Sequence, residues 1–409
     1  MKHIIKIVIL IIGVGQMLQA QEPLNRYLEI AAKNNPELQA EFNEYMAALE
    51  VAPQVKALPD PKVAFAYFIS PVETREGPQQ LKISASQYFP WFGTLKAKEN
   101  SAVQNARASY EMFKQTRSRL YQEVKVEYFN LYFNERAINI TLENIELLQS
   151  IQKMATIKIE SGLTSMVDEY RIQLEINELE NQLALLRDKS GVLKTSFRNL
   201  LNAKNDLIIK LPDTLERIDF PLSKQAVLDS IQTGNHKLLK LDFKQAALAY
   251  RQEAAEKTGM PDFNIGLNYT IIGEGENNAS GKDAFVFPSV GITIPLYRKK
   301  YKAMVNEVVY LQEANQNEIE SEKNELETLL DRTWKDYQDA DRRIQLFEKQ
   351  VKLARQALNL LESEYATENS DFEEILRMER QALKYSLEFE KAKTDKQAAI
   401  AFIEYLMGK

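Results

Sequence analysis

The chain has 409 residues, with 52 Lys and Arg against 58 Asp and Glu and a formal net charge of −6. It has no cysteine and only two histidines, which excludes disulfides, thiolate chemistry, cysteine-ligated zinc and histidine-cluster metal sites, and makes histidine-dependent catalysis a poor fit. The acidic balance argues against nucleic acid as a partner.

Residues 1–20 read as a secretory signal: Lys2 and Lys6 precede an apolar run over 7–14, and Leu18-Gln19-Ala20 offers a cleavage site. That run is too short to span a bilayer, and no later run approaches the roughly 20 apolar residues of a transmembrane helix. A helical stretch is expected over about 24–58, broken at Asn34-Asn35-Pro36. Strands follow at about 62–70 and 80–89, joined by turn-rich residues 71–78. Val63, Phe65, Tyr67 and Ile69 share one face of the first strand, and Leu81, Ile83, Ala85 and Phe89 one face of the second. From about 94 to 161 no proline or glycine interrupts the chain, which predicts a single helix of roughly 100 Å. A turn at Ser161-Gly162-Leu163 leads into a helix over about 166–203.

Residues 205–223, with Pro212 and Pro221, link this first copy to a second. The second copy has a helix at about 225–258, strands at about 263–272 and 284–294, a long helix at about 298–367 and a shorter one at about 371–407. Pro59-Asp60 is answered by Pro261-Asp262, and Phe89-Pro90-Trp91-Phe92 by Ile294-Pro295-Leu296-Tyr297. Ser165-x-x-Asp168-x-x-Arg171 is answered by Asp371-x-x-Glu374-x-x-Arg377; the offset drifts only from 202 to 206. The units are therefore 21–204 and 224–409.

Period-two strands near ten residues long fit an outer-membrane barrel and equally a half-buried soluble hairpin. The helices favour the barrel. Their apolar residues repeat every seven positions along two seams: Val124, Leu131, Ile138 and Ile145 beside Val126, Phe133, Ile140, Leu147 and Met154. The second copy has Ile344, Val351, Leu358 and Tyr365 beside Leu346, Leu353 and Leu360. Seams two residues apart lie about 200° apart around a helix. Each helix should then pack a neighbour on both sides, which specifies a wall closed into a cylinder. Four strands cannot close a membrane barrel alone, because the smallest use eight, so oligomerisation is expected.

The order and spacing of these elements, with the Phe-Pro and Ile-Pro strand exits and Ser161-Gly162-Leu163, resemble TolC-type outer membrane efflux proteins over essentially the whole mature chain. The resemblance implies a fold that is mostly α with a membrane β-barrel portion. In it, three chains form a twelve-stranded barrel in the outer membrane of a Gram-negative bacterium and a long α-helical barrel through the periplasm. It implies a passive exit channel for substrates delivered by an inner-membrane efflux pump and a periplasmic adaptor protein. It also places Asp168 and Tyr365 in a hydrogen-bonding network that holds the tunnel closed, and Glu374 in an acidic ring of the aperture. Ser370 stands where the family carries its gating arginine and Arg377 at the second acidic position, so Arg377 is a candidate substitute link. Gly162 and Leu163 resemble the tip that adaptors grip, with Glu368 and Asn369 as their counterparts in the second turn.

Each site has a plainer reading. Ser165-x-x-Asp168 and Ser370-x-x-Glu373 fit helix capping boxes, and Gly162 fits a helix C-cap. Tyr88, Trp91, Phe92 and Tyr297, at the strand-to-helix junctions, fit either an aromatic girdle at the lipid interface or packing inside the junction. A periplasmic coiled-coil scaffold and a duct specialised for metal cations are the competing functions. No nucleophile elbow, phosphate loop or metal-spaced ligand set points to an enzyme or a cofactor.

Overall fold

The computed structural model describes residues 22–204, 207–275, 281–367 and 372–409. The expected signal segment, and Glu368, Asn369, Ser370 and Asp371 of the second turn, lie outside these residues. The fold is mostly α with one antiparallel sheet, built from a duplicated strand–strand–long-helix unit.

The first copy runs through helices α1 (Glu22–Asn34), α2 (Pro36–Leu49) and α3 (Val51–Lys56), then strands β1 (Lys62–Tyr67), β2 (Glu73–Thr74) and β3 (Gly77–Phe89). Helices α4 (Thr94–Glu160) and α5 (Met166–Leu201) complete it. The second copy has α6 (Lys224–Gly234), α7 (His236–Thr258), β4 (Asp262–Ile272), β5 (Ala284–Thr293), α8 (Arg298–Thr367) and α9 (Phe372–Leu406). The pre-strand helix of the second copy, expected as one piece, breaks at Asn235. That break is the counterpart of Asn35. Asn35 Nδ2 donates to the Leu200 carbonyl at 3.1 Å, and Asn235 Nδ2 to the Leu406 carbonyl at 2.9 Å. In both copies an asparagine at the helix break thus satisfies a carbonyl in the last turns of the closing helix, which has no intrahelical donor.

By its contacts the chain divides into two compact units that cut across the sequence repeats. One comprises the described part of Met1–Ala40 with Lys114–Asn235 and Lys323–Lys409, and the other Glu41–Phe113 with His236–Glu322. The first has helices and no strand among the described residues. Its main core is an apolar cluster that includes Ile145, Leu148 and Ile151 of α4, Ile172, Ile176 and Leu179 of α5, Leu358 and Tyr365 of α8, and Phe372, Ile375 and Leu376 of α9. Truncating such a residue to alanine costs about 2–5 kcal/mol. In the same unit the segment between the copies is held down by Lys396. This buried lysine reaches Asp219 at 2.6 Å and Asp341 at 2.9 Å, with its ammonium 5.3 Å from the Tyr337 ring centre.

The second unit carries the sheet. Its order is β1-β3-β4-β5, all antiparallel, with β2 pairing only with β3. The central pair, β3 with β4, joins the two copies, and β1 and β5 are free edges. The turn region at 71–78 was expected to be irregular and instead contains the β2–β3 hairpin. Gly77 makes this possible. It has φ +129°, and a Cβ there would lie 2.0 Å from the Gly273 carbonyl oxygen.

Candidate functional site

The strand register sorts the sheet into two chemically distinct faces, since residues directly opposite one another point the same way. Phe65, Ile83, Tyr269 and Phe285 form one continuous row across all four main strands. Neighbouring rows on that face hold Val63, Ala85 and Leu267; Tyr67, Leu81 and Ile271; and Phe89, Phe263 and Ile292. The opposite face carries Lys62, Ser86, Gly266 and Ser289 in one row and Ala66, Lys82, Thr270 and Ala284 in another. Phe65 is 71% and Tyr67 74% exposed. A sheet with one apolar face bared to its surroundings and one small or polar face matches the wall of a membrane barrel.

The junction aromatics separate. Trp91 stacks on Phe263 with ring centres 5.8 Å apart, and Phe92 contacts both. Phe92 and Tyr297 are exposed. Tyr88 pairs across the sheet with Asn264, on the polar face, and its hydroxyl donates to Asp262. The same carboxylate accepts the Trp91 backbone N–H at 2.8 Å and ties the strand exit to the next strand.

At the helical turns, Gly162 has φ +70°, the Leu163 N–H donates to the Lys158 carbonyl at 2.8 Å, and the Gly162 N–H to that of Ile159 at 2.9 Å. This is a glycine C-cap that closes α4. Leu163 is exposed beside it. Ser165 caps α5 by accepting the Val167 N–H at 3.2 Å. The Asp168 side chain turns instead to Thr164, whose hydroxyl donates to it at 2.5 Å. The expected reciprocal capping box is thus replaced by a single cap and a separate Thr–Asp contact.

Asp168 and Tyr365 come together. The Tyr365 ring is buried against Phe372, centres 5.4 Å apart, with the Lys158 ammonium 4.5 Å over it. Its hydroxyl approaches Thr164 without a hydrogen bond of good geometry. Burial raises its pKa, the negative charge of Asp168 adds to this, and Thr164 opposes it. Arg171 lies between Asp168 at 3.5 Å and Glu373 of α9 at 3.7 Å. Glu374 and Arg377 stand apart as an exposed pair within α9, 3.4 Å from each other. Arg377 is therefore occupied on its own helix, and the two closing helices are linked by Arg171 to Glu373 and by Arg380 of α9 to Glu175 of α5 at 3.3 Å. Thr164, Lys158 and Phe372 join this cluster without having been singled out in the sequence: Thr164 and Phe372 reach Asp168 and Tyr365 across the turns, and Lys158 reaches Tyr365 between helices far apart in the chain.

With this geometry in place, the sequence model of the outer membrane efflux protein family matches residues 27–203. No curated protein matches the sequence. Solved structures extend the likeness to the whole chain. The outer-membrane channel OprN superposes with a TM-score of 0.80 at 16% identity, covering 95% of this chain and 90% of its own. The outer membrane protein VceC from Vibrio cholerae gives 0.77 at 15%, covering 95% and 98%. The MtrE outer membrane channel of Neisseria gonorrhoeae, in its open state, gives 0.76 at 16%, covering 94% and 89%. The efflux-protein fold thus continues through the second copy, beyond the residues that the family model matches.

Proposed function

We propose that three copies of this chain assemble into an outer-membrane channel-tunnel. It gives passive exit to substrates handed over by an inner-membrane pump through a periplasmic adaptor. The observation that carries this is the open four-stranded wall with one face that is apolar except at Gln87. Its free edges cannot remain unpaired in lipid, and four strands cannot close on themselves. Three copies give twelve strands, the number implied by the resemblance to TolC-type proteins.

The helices support the same assembly. Ile344, Leu358 and Tyr365 are buried within the chain, while Leu346, Leu353 and Leu360 on the other seam of α8 are exposed. An apolar seam left open in one chain is the surface a second copy would cover. Helices of 67 and 70 residues would then carry the conduit roughly 100 Å from the membrane. The cluster of Asp168, Tyr365 and Arg171 near the turns is the candidate gate, with Glu374 at the aperture. The exposed Leu163 is the candidate adaptor contact. Cross-linking of the purified protein in detergent should give three chains, and reconstitution in planar bilayers should give discrete conductance steps. A monomer that stays soluble without detergent would favour a periplasmic scaffold instead.

A further inference from the structure

Besides His236, the charged side chains buried among the described residues are Glu111, Glu379, Glu390 and Lys396. Three of them are partnered. Glu111 meets His236 at 2.8 Å. Glu390 accepts the Tyr132 hydroxyl at 2.8 Å and pairs with Lys393 at 3.0 Å. Lys396 holds its two aspartates. Glu379 is 0% exposed, and neither of its carboxyl oxygens has a hydrogen-bond partner.

Its position makes the anomaly sharper. Glu379 falls on the buried stripe of α9, three or four residues from Ile375, Leu376, Ala382 and Leu383, all members of the apolar cluster. It lies two turns, about 10 Å, from the start of α9 at Phe372. The charged groups that act on it are Glu175 of α5 and its own neighbour Arg380, which reach each other at 3.3 Å. α4 and α8 contribute apolar residues to the cluster, and none of their ionisable groups, among them Lys153, Lys158, Arg355 and Glu362, is among the charges that act on it. A carboxylate buried without a partner costs several kcal/mol, so the group is neutralised or the packing around it opens.

We propose that Glu379 is a proton-controlled element of the tunnel's closed end: neutral, it lets α5 and α9 pack together, and on ionising it loosens them and favours opening. This rests on the channel reading above and adds a means of regulation to it. Burial, reinforced by the charge of Glu175 and opposed by Arg380, lifts the Glu379 pKa from 4.5 to about 7. The closed packing therefore binds the proton more tightly than a loosened state in which the carboxyl is hydrated. Its stabilisation is full below the ordinary carboxylate range, declines as pH rises from about 4.5 to about 7, and stays low above that.

The test uses the full-length protein and two readouts. In planar bilayers, open-state occupancy of the wild type should rise about tenfold or more between pH 5 and pH 8. Glu379→Gln and Glu379→Met should abolish the rise. Amide hydrogen exchange in residues 372–386, corrected for intrinsic rates, should show protection falling over the same range in the wild type and constant in both variants. A wild type without this dependence in exchange, or a variant that retains it, overturns the proposal. An absence of conductance in every form, with the exchange pattern as expected, overturns the channel reading and with it the gating role, while the proton-dependent packing of α5 on α9 at Glu379 stands.

Discussion

The Tyr365 side chain shows why residue type alone does not assign a role. It was expected to give a hydroxyl to a closing network, yet the hydroxyl is buried without a good partner, and the ring does the packing against Phe372 and under Lys158. Tyr365→Phe should therefore change single-channel conductance little. Asp168→Ala removes a carboxylate held by Thr164 and Arg171, and charge-assisted bonds of this kind contribute about 1.5–3 kcal/mol. Because Arg171 is half exposed, the lower end applies, and open-state occupancy should rise by about tenfold. Arg377→Ala should add nothing to it: its guanidinium pairs with Glu374 on the same helix, whereas Asp168 orients Arg171, which also reaches Glu373 of α9. A large effect of Arg377→Ala with none from Asp168→Ala would transfer the gate to the α9 pair.

Among the elements, the strands give the sharpest expectation. Leu267 lies on the apolar face beside Ala85, and its neighbour Asn268 on the polar face beside Ser84. Leu267→Arg should reduce membrane insertion by about 2–4 kcal/mol if it sits near the midplane, whereas Asn268→Arg should be tolerated. Heat-modifiable migration of the folded barrel measures both. Equal loss in the two variants would mean that the faces are not lipid and lumen. The long helices reflect a different physics. Their two heptad seams were legible as a pattern, and within one chain only one seam of α8 is satisfied. A helix with an unsatisfied apolar seam is an assembly element.

For the whole molecule, assembly should then depend on that second seam. Leu353 and Leu360 are each 65% exposed in the single chain. Burying a leucine contributes about 1.5–3 kcal/mol. Leu353→Asp with Leu360→Asp should therefore leave the chain helical by circular dichroism but shift it to monomers in detergent-phase light scattering. Trimers that survive the double substitution would place the contact elsewhere. The compact units carry a related lesson. Each takes residues from both sequence repeats: in one β3 pairs with β4, and in the other the helices of both copies share one apolar cluster.

The sequence by itself determined the element types and the duplication. Period-two and period-seven apolar patterns, uninterrupted helical runs and repeated Pro-Asp and Pro-aromatic punctuation are local signals, and each is written within a few turns or one strand. It also determined which residues of β1, β3 and β4 share a face, by alternation, whereas on β5 the register shift opposite Gly266 and Asn268 brings Phe285 onto the face of Ile292. What only the tertiary structure decided depends on groups distant in the chain. Strand order and register across the copies are of this kind, as are the β2–β3 hairpin allowed by Gly77 against Gly273 and the Arg171 bridge to Glu373. So is the fate of each buried charge. Glu379, Glu390 and Lys396 all lie on α9, and nothing in their local sequence distinguishes them. Lys396 meets Asp219 and Asp341, and Glu390 meets Tyr132, while Glu379 has no hydrogen-bond partner and lies among apolar side chains, with a like charge on the facing helix and Arg380 beside it. Partnering is a property of the space between helices, and a single chain's pattern does not contain it.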